Sequence, residues 1–464
     1  MPSQSLWWSS LEQAVTPRAA LQHHLDVDVA IIGGGFTGLW TARELLRRDA
    51  SLRIAVLEKE VCGFGASGRN GGWASGLFPM SNASVIGRYG HESFDHQRRV
   101  LQDAVVELGS STRSDGIDAR YVHGGTMNFA RSEVQVARLT QEISSARDVG
   151  IGAHDLSWIE GTDLDAHGRV AGALGAQFSP HCARIDPARL VRGLSDVDER
   201  LGAMIFENTT VTRIIPGRYD RRAEVITVGA TVHADFVVRA TEGFTPNLPH
   251  ERRTVVPLYS LMIATEPLSK EFWNDVGFAH YETFADDRHL IIYGQRTSDD
   301  RIAFGGRGAP YHFGSSVETR FDSNQTVFEK LEATLRELFP MMEGSITHAW
   351  GGPLAMARDH SPFACVDYDS GLASAGGYTG DGVVLSHVAA TALADLITSP
   401  DTESDFTRLP FVQRIGRKWE FEPFRWIGIN AGLSLASWAD RVESKHDRVS
   451  RASRWLDRLV DRGG

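Results

Sequence analysis

The sequence predicts an α/β chain, α+β overall, in which a discontinuous α/β domain accepts an inserted β-sheet-rich second domain. Three observations carry this. A buried strand pattern at Val27–Ile32 runs into glycines and then into a helical pattern. Glycine-rich turns recur near both ends of the chain, at Gly33–Gly38 and Gly376–Gly382. Between them, from Thr254 to Gly306, the pattern is mostly short strands.

The first strand is apolar and rich in β-branched residues, as a strand covered on both faces must be. Over Phe36–Arg48, Leu39, Ala42, Leu45 and Leu46 share one helical face, and Arg53–Leu57 forms a second buried strand. That βαβ unit calls for parallel strands and a right-handed crossover. The glycine-rich stretch Cys62–Gly76 reads as a loop. Helical patterns return over Phe94–Leu108, Ser132–Val149 and Ala188–Leu201, with strand-like Gly124–Ala130 among them. Short strands follow at Ala203–Phe206, Val211–Ile215, Glu224–Val228 and Asp235–Ala240. Val327–Phe339 is an amphipathic helix ended by Pro340, and Val383–Ile397 is a helix after the last glycine turn. A chain of 464 residues exceeds one ordinary core. The division drawn from these patterns gives 25–90, 155–250 and 345–400 to the first domain, 91–154 and 251–344 to the inserted domain, and 401–464 to a C-terminal helical segment.

Composition narrows the function. Hydrophobic residues are 42% and charged residues 23%, an ordinary globular balance. Forty-eight basic against 59 acidic residues leave a net charge of −11, which argues against a nucleic-acid partner. Three scattered cysteines, Cys62, Cys182 and Cys365, form no CxxC pair and fit a reducing compartment. The N-terminal stretch has no signal pattern, and no apolar run is long enough to span a bilayer. The expectation is a soluble, cytoplasmic protein. The 17 histidines show no HExxH spacing, and no metal site or Ser/His/Asp arrangement is expected.

The chemistry lies in Gly33-Gly34-Gly35-Phe36-Thr37-Gly38. Alone, GxGxxG is weak, and Gly63–Gly68 matches it too. Here it follows a strand, opens a helix, and is followed 20 positions after Gly38 by Glu58 at the end of the next strand. Together these form a Rossmann-like dinucleotide signature. Gly33 permits the tight turn, Gly35 lets a pyrophosphate approach the backbone, and Gly38 lets helix and strand pack closely. The helix N-terminus faces the phosphates, and Glu58 accepts from ribose hydroxyls. A ligand-free glycine turn is the plainer alternative, and strand, helix and acid together weigh against it. The loop Gly63–Gly76 could wrap a bulky ring, with Arg69 and Asn70 reaching phosphate or ring oxygens, or it could be a solvated surface loop.

The run from Asp28 through Gly72, DVAIIGGGFTGLWTARELL…VLEKEVCGFGASGRNGG, resembles the D-amino-acid oxidase-like family of FAD-dependent oxidoreductases. It is most similar to that family's gamma-glutamylputrescine oxidase branch, with the glycine oxidase and sarcosine oxidase types as relatives. SLWW near the N-terminus, Phe304–Gly314, Trp350–Phe363 and Gly376–Val383 extend the resemblance over most of the chain. It implies an FAD site drawn from Gly33, Gly35, Phe36, Thr37 and Gly38, from Glu58 and Lys59, and from Gly65, Ala66, Ser67, Arg69, Asn70, Gly71 and Gly72. It adds Val211 at the adenine, the segment Ala240, Thr241 and Gly243, and the second flavin turn Gly377, Tyr378, Gly380, Asp381, Gly382 and Val383. The helix opening at that turn would point its positive end at flavin N1 and the C2 carbonyl. Relatives that tether flavin use a cysteine in the segment matching Trp350–Asp359 or a histidine in that matching Ala66–Gly72. Neither is present here, so non-covalent FAD is expected.

The implied activity is oxidation of a C–N bond in an amine, a gamma-glutamyl polyamine in the leading reading. Hydride passes to flavin N5, the imine hydrolyses to an aldehyde, and O2 reoxidises the flavin to give H2O2. A glycine- or sarcosine-type amino-acid oxidase is the alternative, as is a dehydrogenase using a quinone or carrier. Substrate contacts are expected from Trp73, Tyr259, Tyr281, Tyr293, Arg307 and Tyr311: aromatic rings to cage an amine, and Arg307 to hold a carboxylate. Each could equally be a packing or solvated residue. Near the C-terminus, Val449, Ala452, Leu456 and Leu459 share a helical face beside Arg448, Arg451, Arg454 and Arg458. A terminal helix docked on its own domain is preferred there over a membrane or partner helix.

Overall fold

The computed structural model describes residues 5–219, 221–414 and 416–450. Two eight-stranded sheets organise the chain. The first runs in the order Phe363–Asp367, Leu372–Gly376, Thr231–Arg239, Leu25–Ile32, Ile54–Leu57, Met204–Phe206. Strand Leu25–Ile32 lies at its centre, parallel to both neighbours. Its apolar side chains are covered on both faces, which explains the unbroken hydrophobic run. On one face pack the helices Phe36–Arg48, Pro187–Leu201 and Gly382–Thr398. On the other, the strands Val211–Ile215 and Ala223–Thr227 fold over Thr231–Arg239.

The helix bounds follow from local chemistry. Phe36–Arg48 starts directly after the glycine turn, as the periodicity required. Pro187–Leu201 opens with Asp186 as its cap, whose side chain accepts from the Arg189 amide, and ends at left-handed Gly202. Asn82–Ser114 is longer than the Phe94–Leu108 pattern and bends at Gly90, where φ is 84°. Gly382–Thr398 is apolar nearly all round because it is buried nearly all round.

The second sheet runs Ile346–Met356, Val256–Thr265, Ile302–Gly306, Ile292–Arg296, Thr283–Asp286, Thr126–Ala130, Gly175–Ser179, Ser157–Ile159. All pairs are antiparallel except Thr283–Asp286 with Thr126–Ala130. Helix Gln325–Leu338 covers one face over an aromatic core of Phe129, Phe278, Phe284, Phe304 and Phe339. Strands at 157–159, 175–179 and 346–356 therefore hydrogen-bond into this sheet. The boundaries at 155 and 345 drawn from the sequence gave all three to the first domain, because strand pairing is not written in a strand's own residues. The C-terminal part holds the helix Phe424–His446, and most of the basic face expected beyond it lies outside the described residues. Among the described residues no helix is long and apolar enough to cross a membrane.

Glu242 links distant parts of this frame. It follows strand Thr231–Arg239 at a positive φ of 39°, and its Oε2 accepts from the Gly377 amide at 2.9 Å. The turn after the central strands is thereby tied to the last glycine turn. Burial pushes the carboxyl up to about 7, against the opposing pull of the Gly377, Tyr378 and Ala355 amides. A carboxyl raised from its ordinary 4.5 binds its proton more tightly in the folded chain. Its stabilisation is complete below pH 4.5 and is lost as pH rises through about 7. In melts of the cofactor-free chain, the stability of wild type relative to Glu242→Gln should fall by about 3 kcal/mol across that window. A pH-independent difference would show that Glu242 does not titrate there.

Candidate functional site

A cavity of about 690 Å³ runs between the two sheets. One end is formed by the first glycine turn. Gly33 has φ +108°, and a Cβ there would lie 2.5 Å from the Ala240 carbonyl oxygen. A Cβ on Gly38 would lie 2.0 Å from the Gly33 oxygen, so only glycine lets the helix pack on its own turn. Gly38 is thus a packing residue behind the cavity, while Gly33, Gly35, Phe36 and Thr37 line it. Glu58, at the end of strand Ile54–Leu57, accepts from the Gly34 amide at 2.7 Å and the Glu60 amide at 2.9 Å. Burial raises its carboxyl. Lys59, Val211, Ala240, Thr241 and Gly243 complete this end.

The loop 63–76 forms the middle wall. Gly65, Ala66, Ser67, Arg69, Asn70 and Gly71 line the cavity. Ser67 Oγ accepts from the Phe36 amide at 2.8 Å, at the N-terminus of the first helix. Arg69 Nη1 donates to Asp322 at 2.7 Å and to the Gly351 oxygen at 2.9 Å, while Nη2 is buried without a partner. The Asn70 side chain bonds its own loop: Nδ2 donates to the Ala66 and Ser67 oxygens, and Oδ1 accepts from the Gly72 amide. Gly72 lies off the cavity, where a Cβ would strike Gln295 Nε2 at 2.0 Å.

The second glycine turn closes the far side. Tyr378 shares a hydrogen bond with Thr37 Oγ1 at 3.0 Å and so joins this turn to the first helix. Gly380, Asp381, Gly382 and Val383 line the cavity, whereas Gly377 packs against Phe363 and Ala357. Asp381 precedes helix Gly382–Thr398 but does not cap it, so the positive helix end is left open toward the cavity. Burial pushes the Asp381 carboxyl up to about 6, against the opposing pull of nearby Arg307. Arg307 Nη2 donates to the Thr379 oxygen at 2.6 Å.

Of the six substrate candidates, Trp73, Tyr293 and Arg307 meet on the cavity wall. Trp73 and Tyr293 pack edge to face, 6.2 Å between centroids, and Tyr293 shares a hydrogen bond with Ser260 at 2.7 Å. The Trp73 indole nitrogen is buried without a partner. The other three tyrosines stand elsewhere. Tyr259 bonds the Glu318 backbone and packs on His312 and Phe321. Tyr281 lies against Arg184 and Arg296. Tyr311 is buried, and its hydroxyl donates to Glu422 at 2.8 Å. None of these three lines the cavity.

The sequence reading missed the polar wall supplied by the second sheet: Asn128, Gln177, Ser260, Asp287 and Arg288. Burial pushes Asp287 up to about 7, and Asp286 grips the Arg288 guanidinium. The charge run Asp286-Asp287-Arg288 inside a strand region was the available signal. Cys62 lies beneath Gly34, and neither a cysteine nor a histidine is among the residues lining the cavity. A glycine cradle too tight for any Cβ, two helix N-termini at the cavity and the unpartnered nitrogens of Arg69 and Trp73 fit a large phosphate-bearing ring cofactor.

A family model described as "DAO: FAD dependent oxidoreductase" matches residues 28–396. The chain is 27% identical over 434 residues to the gamma-glutamylputrescine oxidoreductase of Escherichia coli (strain K12), spanning 91% of this chain and 96% of that one. To the glycine oxidase of Geobacillus kaustophilus (strain HTA426) it is 24% identical over 395 residues, 84% of this chain and 98% of the other. A crystal structure of glycine oxidase from Geobacillus kaustophilus shares the fold with a TM-score of 0.69 at 23% identity, covering 84% of this chain and all of that one. Because the family match runs through both glycine turns and the strands that carry them, the chain belongs to the DAO family of FAD-dependent oxidoreductases.

Proposed function

We propose that this chain oxidises a C–N bond of an amine, with a gamma-glutamyl polyamine as the substrate class. The similarity to the Escherichia coli gamma-glutamylputrescine oxidoreductase along nearly the whole of both chains supports the class. The observation that carries the reading is Arg307 on the cavity wall beside Trp73, Tyr293 and Asp381.

FAD would be held at its dinucleotide end by Gly33, Gly35, Glu58, Val211 and Thr241, and at its ring end by Arg69, Gly71, Gly380 and Gly382. Bound there, FAD would supply a two-electron oxidation of the carbon next to nitrogen, with O2 as the acceptor that gives H2O2. The chain's own residues position and desolvate. The N-terminus of helix Gly382–Thr398 favours negative charge beside it. Trp73 and Tyr293 give an apolar wall that excludes water from the reacting carbon. Arg307 gives one donor to Thr379 and uses the rest of its fork for a distal substrate carboxylate. The oxidised imine is released and hydrolysed by water to the aldehyde.

The lack of a cysteine or histidine on the cavity wall supports FAD held without a covalent bond. Acid precipitation should therefore leave all flavin colour in the supernatant. Glu58→Arg, which replaces a ribose acceptor by a cation, should purify with much less flavin than wild type. Colour retained in the pellet, or full occupancy in the variant, would contradict this placement.

A bidentate charge-assisted contact contributes about 1.5–3 kcal/mol. Arg307→Ala should weaken binding of gamma-glutamyl amines about ten- to a hundred-fold and leave simple amines nearly unaffected. Equal losses for both classes would make Arg307 a support of the flavin turn through Thr379.

A further inference from the structure

Away from the cavity, the fold assembles three metal-ligating side chains that sequence spacing gave no reason to connect. His167 ends the helix Gly161–His167, while His280 and Glu282 lie on the turn that enters strand Thr283–Asp286. The turn is folded back onto the helix end: the Phe278 amide donates to the His167 oxygen at 2.7 Å, and Gly168 bridges Gly277. Tyr281, between the other two, has φ 59°.

The Nδ1 atoms of both histidines converge on one oxygen. His167 Nδ1 lies 2.9 Å and His280 Nδ1 3.1 Å from Glu282 Oε1. One ligand atom from each residue falls within 4.8 Å of the others. Glu282 itself is 0% exposed, and its Oε2 is buried without any hydrogen-bond partner. Among the described residues its ion-pair partners are these two histidines alone. A buried carboxylate is costly unless opposite charge compensates it, and a spare buried oxygen adds to that cost. A divalent cation held between the carboxylate and the two neutral imidazoles would supply the compensating charge.

We propose that His167, His280 and Glu282 form a divalent-metal site of the zinc type. Two imidazole nitrogens with a carboxylate suit zinc and its transition-metal neighbours, and do not suit the oxygen-seeking magnesium or calcium. The His280 side chain is 68% exposed, which gives an entry path and leaves room for a water ligand. The site goes beyond the oxidase reading and does not depend on it. Its place in the fold gives it a structural task. The strand Thr283–Asp286 carries Ala285 and Asp286 on the cavity wall, so the ion clamps that strand's entry to a helix end at a distance from the reacting centre.

The test uses full-length, FAD-loaded protein, stripped with a chelator and then titrated with zinc chloride. Bound zinc is counted after desalting, and melting is followed with and without zinc. Wild type should retain one zinc per chain and melt higher with it. His280→Ala, at an exposed position, should keep its flavin, bind zinc at least about ten-fold more weakly and lose the zinc-dependent rise in melting temperature. His167→Ala supplies an independent removal of a ligand with the same expected result. No stoichiometric zinc on wild type, or equal uptake by wild type and both variants, would overturn the proposal and leave a hydrogen-bonded cluster only.

Discussion

Three successive carbonyl oxygens hold the cavity's middle wall in place. Those of Arg69, Asn70 and Gly71 accept from Trp350 Nε1 at 2.9 Å, Trp7 Nε1 at 2.8 Å and Gln295 Nε2 at 2.6 Å. The donors come from the N-terminal helix and two strands of the second sheet; the acceptors belong to the loop that leaves the first sheet. Each bond contributes about 1 kcal/mol, but a carbonyl left buried without its donor costs about 1–3 kcal/mol. A glycine-rich loop cannot hold its own shape, because its backbone has too many accessible states. Here the second sheet dictates the shape and, with it, the distance between the nucleotide end and the ring end of the site. Trp7 of the N-terminal SLWW segment thereby braces this wall from behind without lining the cavity.

Charge along the cavity is arranged in the same cross-sheet manner. The first sheet brings Glu58, Glu242 and Asp381, all with carboxyls raised by burial; the second brings Arg307 and the Asp286–Arg288 cluster. Carboxyls so raised are easily neutralised or matched by a cation, and two helix N-termini add positive potential. The environment can therefore take a polyanionic nucleotide at one end and a charged amine at the other. Neither sheet alone supplies both.

Legibility in the sequence followed the range of the interactions. The first βαβ unit was legible because its strand, turn, helix and acid lie within a few dozen residues, each enforced by local sterics. Phe36–Arg48 has the bounds its periodicity required. The strands of the second sheet were legible as strands but not as a sheet, since Thr126–Ala130 pairs with Thr283–Asp286 far along the chain. Tyr259 stands off the cavity wall for a simpler reason. Successive side chains of a strand point to opposite faces. In Val256–Thr265 the sequence reading favoured Tyr259 for its ring, yet its neighbour Ser260 faces the cavity and Tyr259 faces the packing side. Chemistry chose the residue and parity decided the face. The cluster of His167 with Glu282, 115 positions apart, lies beyond any spacing rule.

The chemistry proposed for the ring end of the cavity is oxidation of amines that carry a distant carboxylate. Anaerobic mixing of the FAD-loaded chain with a panel of amines and amino acids tests it most directly, because bleaching of the yellow flavin band reports hydride transfer without reference to the electron acceptor. Gamma-glutamyl amines should bleach the band at low concentration, and glycine and sarcosine should leave it intact. Bleaching by glycine or sarcosine with no response to gamma-glutamyl amines would overturn this chemistry and make the chain an amino-acid oxidase.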